Sequence, residues 1–239
     1  MAGSTFGKQF KITTWGESHG AGVGVVIDGC PAGLSLSSED IQLYLNRRKP
    51  GQSRFTTPRK EDDAVEILSG VFEGKTTGTP ISLVVYNRNQ KSKDYSEIAA
   101  CYRPGHADYT FDAKYDFRDY RGGGRSSGRE TIGRVAAGAV AAKILKELGI
   151  ALTAYTKSIG DISISTLDLA EIANNALYMP DADAAAKASA YLDTCMQEHD
   201  SSGGVIECII DGMPAGIGEP VFDKLDADLA KAIFSIGAV

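Results

Sequence analysis

Apolar residues recur at two periods along this chain. Between Thr131 and Leu148, the residues Ile132, Val135, Ala139, Ile144, Leu145 and Leu148 follow helical spacing, and Gly149 is a natural stop. Alanines and Gly138 keep that helix slim, which predicts close packing in a central position. A second helix is expected from Ser37, a plausible N-cap with Glu39 and Asp40 in its first turn, to Pro50-Gly51. Asp181 to Cys195 reads as an exposed helix. Phe222 to Phe234 reads as another, with Leu225, Leu229, Ala232 and Ile233 on one face. Strand-like runs at Val65 to Phe72 and Ile81 to Tyr86 flank the turn-rich Gly74–Pro80 and predict a hairpin.

One pattern occurs twice. Val26-Ile27-Asp28-Gly29-Cys30-Pro31-Ala32-Gly33-Leu34 aligns with Ile209-Ile210-Asp211-Gly212-Met213-Pro214-Ala215-Gly216-Ile217, and Ser18 and Gly20 align with Ser201 and Gly203. Each copy is an apolar run, an Asp-Gly turn, a Pro-Ala-Gly turn and a helix. Only the first continues into a hairpin. The second stops at Val239 in the apolar Ser235-Ile236-Gly237-Ala238-Val239, which leads us to expect a chain cut short at its C-terminus. With no linker in view, a single domain over 1–239, incomplete at that end, is expected.

The chain has 239 residues, 43% hydrophobic and 23% charged, with net charge -6. Those values suit a soluble globular protein and argue against a nucleic-acid binder that relies on basic charge. Two basic islands stand out. One holds Arg47, Arg48, Lys49, Arg54, Arg59 and Lys60 without an acid. The other holds Arg118, Arg121, Arg125, Arg129 and Arg134 against Asp119 and Glu130. Basic islands in an acidic chain point to small anionic ligands. Cys30, Cys101, Cys195 and Cys208 form no metal-like spacing, and too few ligand types cluster for a metal site. The start lacks the apolar run of a signal peptide, and no stretch approaches ~20 apolar residues. A reduced, cytoplasmic protein off the membrane is expected.

The segment from Arg121 through Gly124, Arg125, Ser126, Ser127 and Gly128 to Thr131 runs straight into the central helix. Glycines admit close backbone approach, a helix start offers unpaired N–H groups, and the arginines add charge and fork geometry. This favours anion binding over a flexible surface loop. In the first island, the helix macrodipole alone would account for Arg47, Arg48 and Lys49. It does not account for Arg54 and Arg59, which two substrate anions would explain. His19 and His106 both sit on glycine-bracketed turns, where a histidine can exchange protons near neutral pH or simply face solvent. His199, near the repeat position of His19, carries less weight. Asp112, Asp116 and Asp119 beside Arg118 and Arg121 read as a salt-bridged loop.

Four segments in order resemble the chorismate synthase family: GESHG with His19, RRKPGQSR from Arg47 to Arg54, RPGHADYT with His106, and RGGGRSSGRET from Arg121 to Thr131. DGCPAG and the final SIGAV are similar too, so the likeness spans essentially the whole chain. The resemblance implies a flavoenzyme with reduced FMN that eliminates phosphate from 5-enolpyruvylshikimate 3-phosphate, a carbon–oxygen lyase of aromatic amino-acid biosynthesis. It implies an α+β fold: a β-α-β sandwich with central helices between two antiparallel sheets, an internal pseudo-twofold repeat, and assembly into a homotetramer. By motif match His19 would protonate the departing phosphate, and His106 the flavin. Arg48, Arg47 and Arg134 would bind substrate anions. NADP contacts proposed within the family would fall on Arg48 and Arg54. Arg125, Ser126 and Ser127 would hold the FMN phosphate side, and Gly237 and Ala238 would touch the ring. Tyr102, Tyr109, Tyr115 and Tyr120 could be core or flavin-facing. The family extends further, with a phosphate loop and an aspartate beyond this chain. Two other readings therefore compete: an inactive fragment or phosphate- and flavin-binding module, and a flavin-free phosphate-ester hydrolase using His19 and His106.

Overall fold

β-Branched and aliphatic alternation builds the first layer of the molecule. The computed structural model describes residues 3–56, 61–88, 98–121 and 123–239. In chain order it contains β1 (Thr5–Phe6), β2 (Lys11–Gly16), β3 (Gly22–Asp28), α1 (Ser38–Arg48), β4 (Val65–Ile67), β5 (Val71–Phe72), β6 (Lys75–Thr76) and β7 (Ile81–Tyr86). There follow α2 (Asp108–Tyr115), α3 (Thr131–Glu147), β8 (Ala151–Ile159), β9 (Ile162–Ser163), α4 (Ala182–Gln197), β10 (Gly204–Asp211), β11 (Gly218–Glu219), β12 (Asp223–Lys224) and α5 (Leu225–Ile233). This is an α+β fold of antiparallel sheets.

The larger sheet has the order β1-β2-β3-β7-β4. Val23, Val25 and Ile27 of β3 and Ile81, Leu83 and Val85 of β7 point to one face. There they meet Ile41 and Leu45 of α1 and Ile132, Ala136, Ala139 and Val140 of α3 in one buried cluster. A period of two on the strands meets a period near 3.6 on the helices, so each element buries one side. Small residues let α3 lie close: a Cβ on Gly133 would come within 3.0 Å of the Gly24 carbonyl oxygen and of Thr14 Cγ2. The slim helix therefore lies close against the larger sheet, and it leads directly into β8. The second sheet, β10-β8-β9, carries α4 over a smaller core of Met179, Ala184, Ala185 and Ala188 with Ile159 and Ile162. Only Tyr155 of β8 and β10 is buried.

Local chemistry explains the ends. Ser37 caps α1: its hydroxyl accepts from Asp40 N while Asp40 reaches back to Ser37 N, a reciprocal box. Arg47 and Arg48 close the same helix, where the macrodipole favours cations. Changing Ser37 to Ala is expected to cost about 1 kcal/mol, read as a lower urea midpoint with an unchanged slope. Asp181 caps α4 by accepting from Ala184 N; that bond, with those from Ser165 and Thr166, holds its carboxyl well below the usual range.

The hairpin expected over 65–86 forms as β4 with β7, Val65 opposite Val85 and Ile67 opposite Leu83. Its run is interrupted at Gly70, and Val71–Thr76 folds into the small β5–β6 ribbon instead. The repeat survives in the backbone. Gly29 and Gly212 have φ of 82° and 78°, and Gly33 and Gly216 have 89° and 90°. A Cβ on Gly29 would strike Gln9 O at 1.8 Å and one on Gly212 would strike Gly149 O at 2.2 Å. Each glycine ends a strand paired with the strand that starts just beyond that carbonyl, β2 or β8. The strand β8 and the helix α2 were not anticipated: β8 mixes threonine, alanine and tyrosine without clean alternation. No helix among the described residues is long and apolar enough to cross a membrane.

Candidate functional site

The five-residue turn between β2 and β3 carries the chemistry of one wall. Ser18 and His19 are buried there, at 4% and 3% exposure, with His19 Nδ1 3.0 Å from Ser18 Oγ. A histidine inside a glycine-flanked turn is thus enclosed rather than facing solvent. His106 differs. It is exposed in the loop before α2, its Nδ1 3.0 Å from the Pro104 carbonyl oxygen.

The glycine-rich segment forms two short 3-10 turns, Gly124–Ser126 and Gly128–Glu130, that lead into α3. Arg125 leaves the first of them and clasps the end of β2, donating to Gly16 O at 3.1 Å, Thr14 O at 3.2 Å and Thr14 Oγ1 at 2.6 Å. Thr14 in turn donates to Glu130 Oε1, and Arg134 Nε donates to Glu130 Oε2 at 2.8 Å. Arg125 and Arg134 thereby flank one carboxylate. Ser127 caps the second turn by accepting from Arg129 N, while Ser126 is exposed.

Two hollows meet at Arg125. The first, of about 260 Å³, lies between α2 and the glycine-rich segment; Glu17, Asp108, Tyr115, Arg118, Arg125 and Ser126 are among its walls. Glu17 belongs to the His19 turn, and Ala107 and Asp108 directly follow His106, so both histidine-bearing segments reach this hollow. Asp119 lies on it as well. Burial pushes the Asp119 carboxyl up, but the hydrogen bonds and charge of Arg121 and the charge of His19 outweigh that and hold it below its ordinary value. Asp108 is held well below the carboxylate range by Arg103, which binds it through Nε and Nη2 at 2.8 Å each. The second hollow, of about 400 Å³, is bounded by Ile12, Arg125, Glu130, Arg134, Ser235 and Ile236. Arg134 Nη1 donates to Ser235 Oγ at 2.6 Å across it. Gly237 and Ala238 follow Ile236 and are exposed.

The first basic island divides. Arg48 is among the walls of neither hollow but reaches the end of the glycine-rich segment: its Nε donates to Thr131 Oγ1 at 3.0 Å and its Nη1 to Asp63 Oδ2 at 2.6 Å. Burial pulls its guanidinium below the usual value, against the opposing charge of Asp63. Arg47 and Arg54 turn elsewhere. Arg47 lies 5.2 Å over the Tyr178 ring, and Arg54 makes an exposed two-point bond with Asp193 of α4. Arg59 and Lys60 lie outside the described residues. The Asp112, Asp116 and Asp119 group is a helix and its exit: Asp112 pairs with Arg118, Asp119 with Arg121, and Asp116 ends α2 in the left-handed region. Tyr102, Tyr109, Tyr115 and Tyr120 are exposed, so they are not core.

Sequence reasoning passed over Asp63, Asn87 and Thr14. Asp63 has no exposed side-chain surface and bridges Arg48 to Arg129, whose Nη1 is 3.2 Å from Asp63 Oδ1. The run Glu61-Asp62-Asp63, directly after the basic island, was the available signal. Asn87 gave none. Among the described residues no group of acids, histidines and cysteines could hold a metal ion.

Around the first hollow Arg118 and Arg125 supply fixed positive charge, Ser126 a hydroxyl, and Phe111, Tyr115 and Phe117 flat apolar surface that suits a planar ring, while Glu17, Asp108 and Asp119 add carboxylates to the same walls. The model of the chorismate synthase family matches residues 10–239. The chain is 72% identical over 241 aligned positions to the chorismate synthase of Agathobacter rectalis, and 57% identical to that of Synechocystis sp.. It spans 66% of the former's length and 67% of the latter's. A solved chorismate synthase crystal structure superimposes with a TM-score of 0.78 at 32% identity, over 97% of this chain and 66% of that one.

Proposed function

We propose, because the chain belongs to the chorismate synthase family, that it carries the phosphate-eliminating site of that lyase. The substrate is 5-enolpyruvylshikimate 3-phosphate and the product chorismate, made with reduced FMN in the cytoplasm by a homotetramer. The observation that carries this reading is the first hollow, where Arg118, Arg125 and residues of both histidine-bearing segments converge.

The reaction breaks one C–O bond, and phosphate leaves with the electron pair; a ring proton is lost from the opposite face, so no net redox change occurs. Cations offset the charge growing on the leaving oxygen. In our reading Arg48 and Arg134 grip substrate anions, with Arg47 a weaker candidate given its place over Tyr178. His19 delivers a proton to the departing phosphate. Its enclosure in the turn favours that role, since a buried imidazole is held in one orientation. Arg125, Ser126 and Ser127 would hold the FMN phosphate side, Gly237 and Ala238 its ring, and His106 a proton at the pyrimidine edge. Bound reduced FMN supplies the electron-rich ring needed to loosen an unactivated C–H bond. Arg54, engaged with Asp193 on the surface, is the weakest candidate for NADP contact.

The discriminating experiment is anaerobic incubation with dithionite-reduced FMN and substrate, following chorismate absorbance and free phosphate. Chorismate formation that needs reduced flavin is expected. Phosphate release without flavin would favour a hydrolase, and flavin fluorescence quenching without turnover would favour a binding module.

A further inference from the structure

Asn87, just past the end of β7, holds the turn that encloses His19 from outside. Asn87 Nδ2 donates to Glu17 O at 2.9 Å and to Gly20 O at 2.9 Å, and its backbone N–H donates to Ala21 O at 3.1 Å. Both side-chain donors and one backbone donor of a single residue thus span the turn that holds Ser18 and His19. The amide can point only one way. Its oxygen accepts from Arg129 Nη2 at 3.0 Å, and a flipped amide would set oxygen against two carbonyls and nitrogen against a guanidinium. Arg129 is itself 6% exposed and held by Asp63, which also holds Arg48. A continuous hydrogen-bonded chain therefore runs Arg48–Asp63–Arg129–Asn87 to the His19 turn.

We propose that Asn87 is the positioning residue for His19, with Arg129 and Asp63 setting the orientation of its amide. This rests on the reading that places His19 among the reacting groups. The chain also ties the guanidinium assigned to the substrate anion to the imidazole assigned to proton delivery, so the two are held at a set separation.

Asn87→Asp is the sharpest probe. It keeps the acceptor for Arg129 but replaces the two-donor end by an oxygen facing two carbonyl oxygens. Ring ¹⁵N NMR of histidine-labelled protein, with the His19 signals assigned through His19→Gln, reads the result. Changed ring shifts and a displaced titration midpoint for His19 are expected, with those of His106 unmoved, and turnover falling on the order of 10-fold to 10²-fold. Asn87→Ala reads the same signals should the aspartate variant not fold. His19 signals that superimpose on wild type in a folded Asn87 variant would overturn the proposal. The two readings fail separately: unchanged turnover in His19→Ala removes His19 from the chemistry, whereas the NMR signals judge Asn87 alone.

Discussion

Replacing His19 by Ala is expected to slow chorismate formation on the order of 10² to 10⁴-fold, with the fold intact. The size follows from its place. A proton donor enclosed at 3% exposure has no solvent substitute in the same position, so water cannot take over the transfer cheaply. The loss should fall on kcat rather than on KM, because the imidazole meets charge that develops only as the phosphate departs. Anaerobic stopped-flow kinetics at saturating reduced FMN would show this. A change in KM alone would assign His19 to binding. Ser18, 3.0 Å away at Nδ1, remains in that variant and keeps the turn polar.

The second large effect concerns stability. Changing Asp63 to Ala removes the carboxylate between two guanidinium groups whose side chains are only 17% and 7% exposed. Arg48 and Arg129 are then left buried with like charge facing like charge, with Glu61 the acid that remains 4.0 Å from Arg129 among the described residues. Breaking one member of a buried ion cluster costs roughly 3–5 kcal/mol, which for a chain of this length lowers the melting temperature by roughly 10 °C. Scanning calorimetry measures it. Asp63→Asn should recover part of the loss, because its amide oxygen still accepts a hydrogen bond while the charge is gone. Asp63 also sits in the left-handed region, with φ 46°, a conformation that costs Ala more than Asn. A melting temperature unchanged in the Ala variant would show that water or a rearranged Glu61 replaces the lost carboxylate.

How far the sequence could be read depends on what kind of force placed each residue. The helices at Ser38–Arg48, Thr131–Glu147 and Ala182–Gln197 were legible because apolar periodicity and capping residues act locally. The Asp-Gly and Pro-Ala-Gly turns were legible because only glycine adopts those φ values freely. Arg125, His19 and His106 stood out by residue type on glycine-rich turns, and Arg48 by its place in a basic run at a helix end. Asn87 and Thr14 could not. Their roles come from contacts across 42 to 116 positions of chain, and an asparagine after a strand looks like any loop residue. Arg54 shows the reverse case. It stands in a basic run beside Arg48, yet it reaches the surface of α4, because Pro50-Gly51 redirects the backbone after the helix.

The matching pair Gly29 and Gly212 gives this molecule its own internal control. Both occupy the same backbone conformation against the carbonyl of a neighbouring strand, yet one hairpin closes through residues 17–21 around His19 and the other opens into the α4 excursion of 160–203. The same alanine introduced at each therefore meets identical stereochemistry in two settings. Because the two backbones match closely, with the added Cβ meeting a carbonyl oxygen in both, the difference between the two variants reads chiefly how tightly the surroundings grip each hairpin.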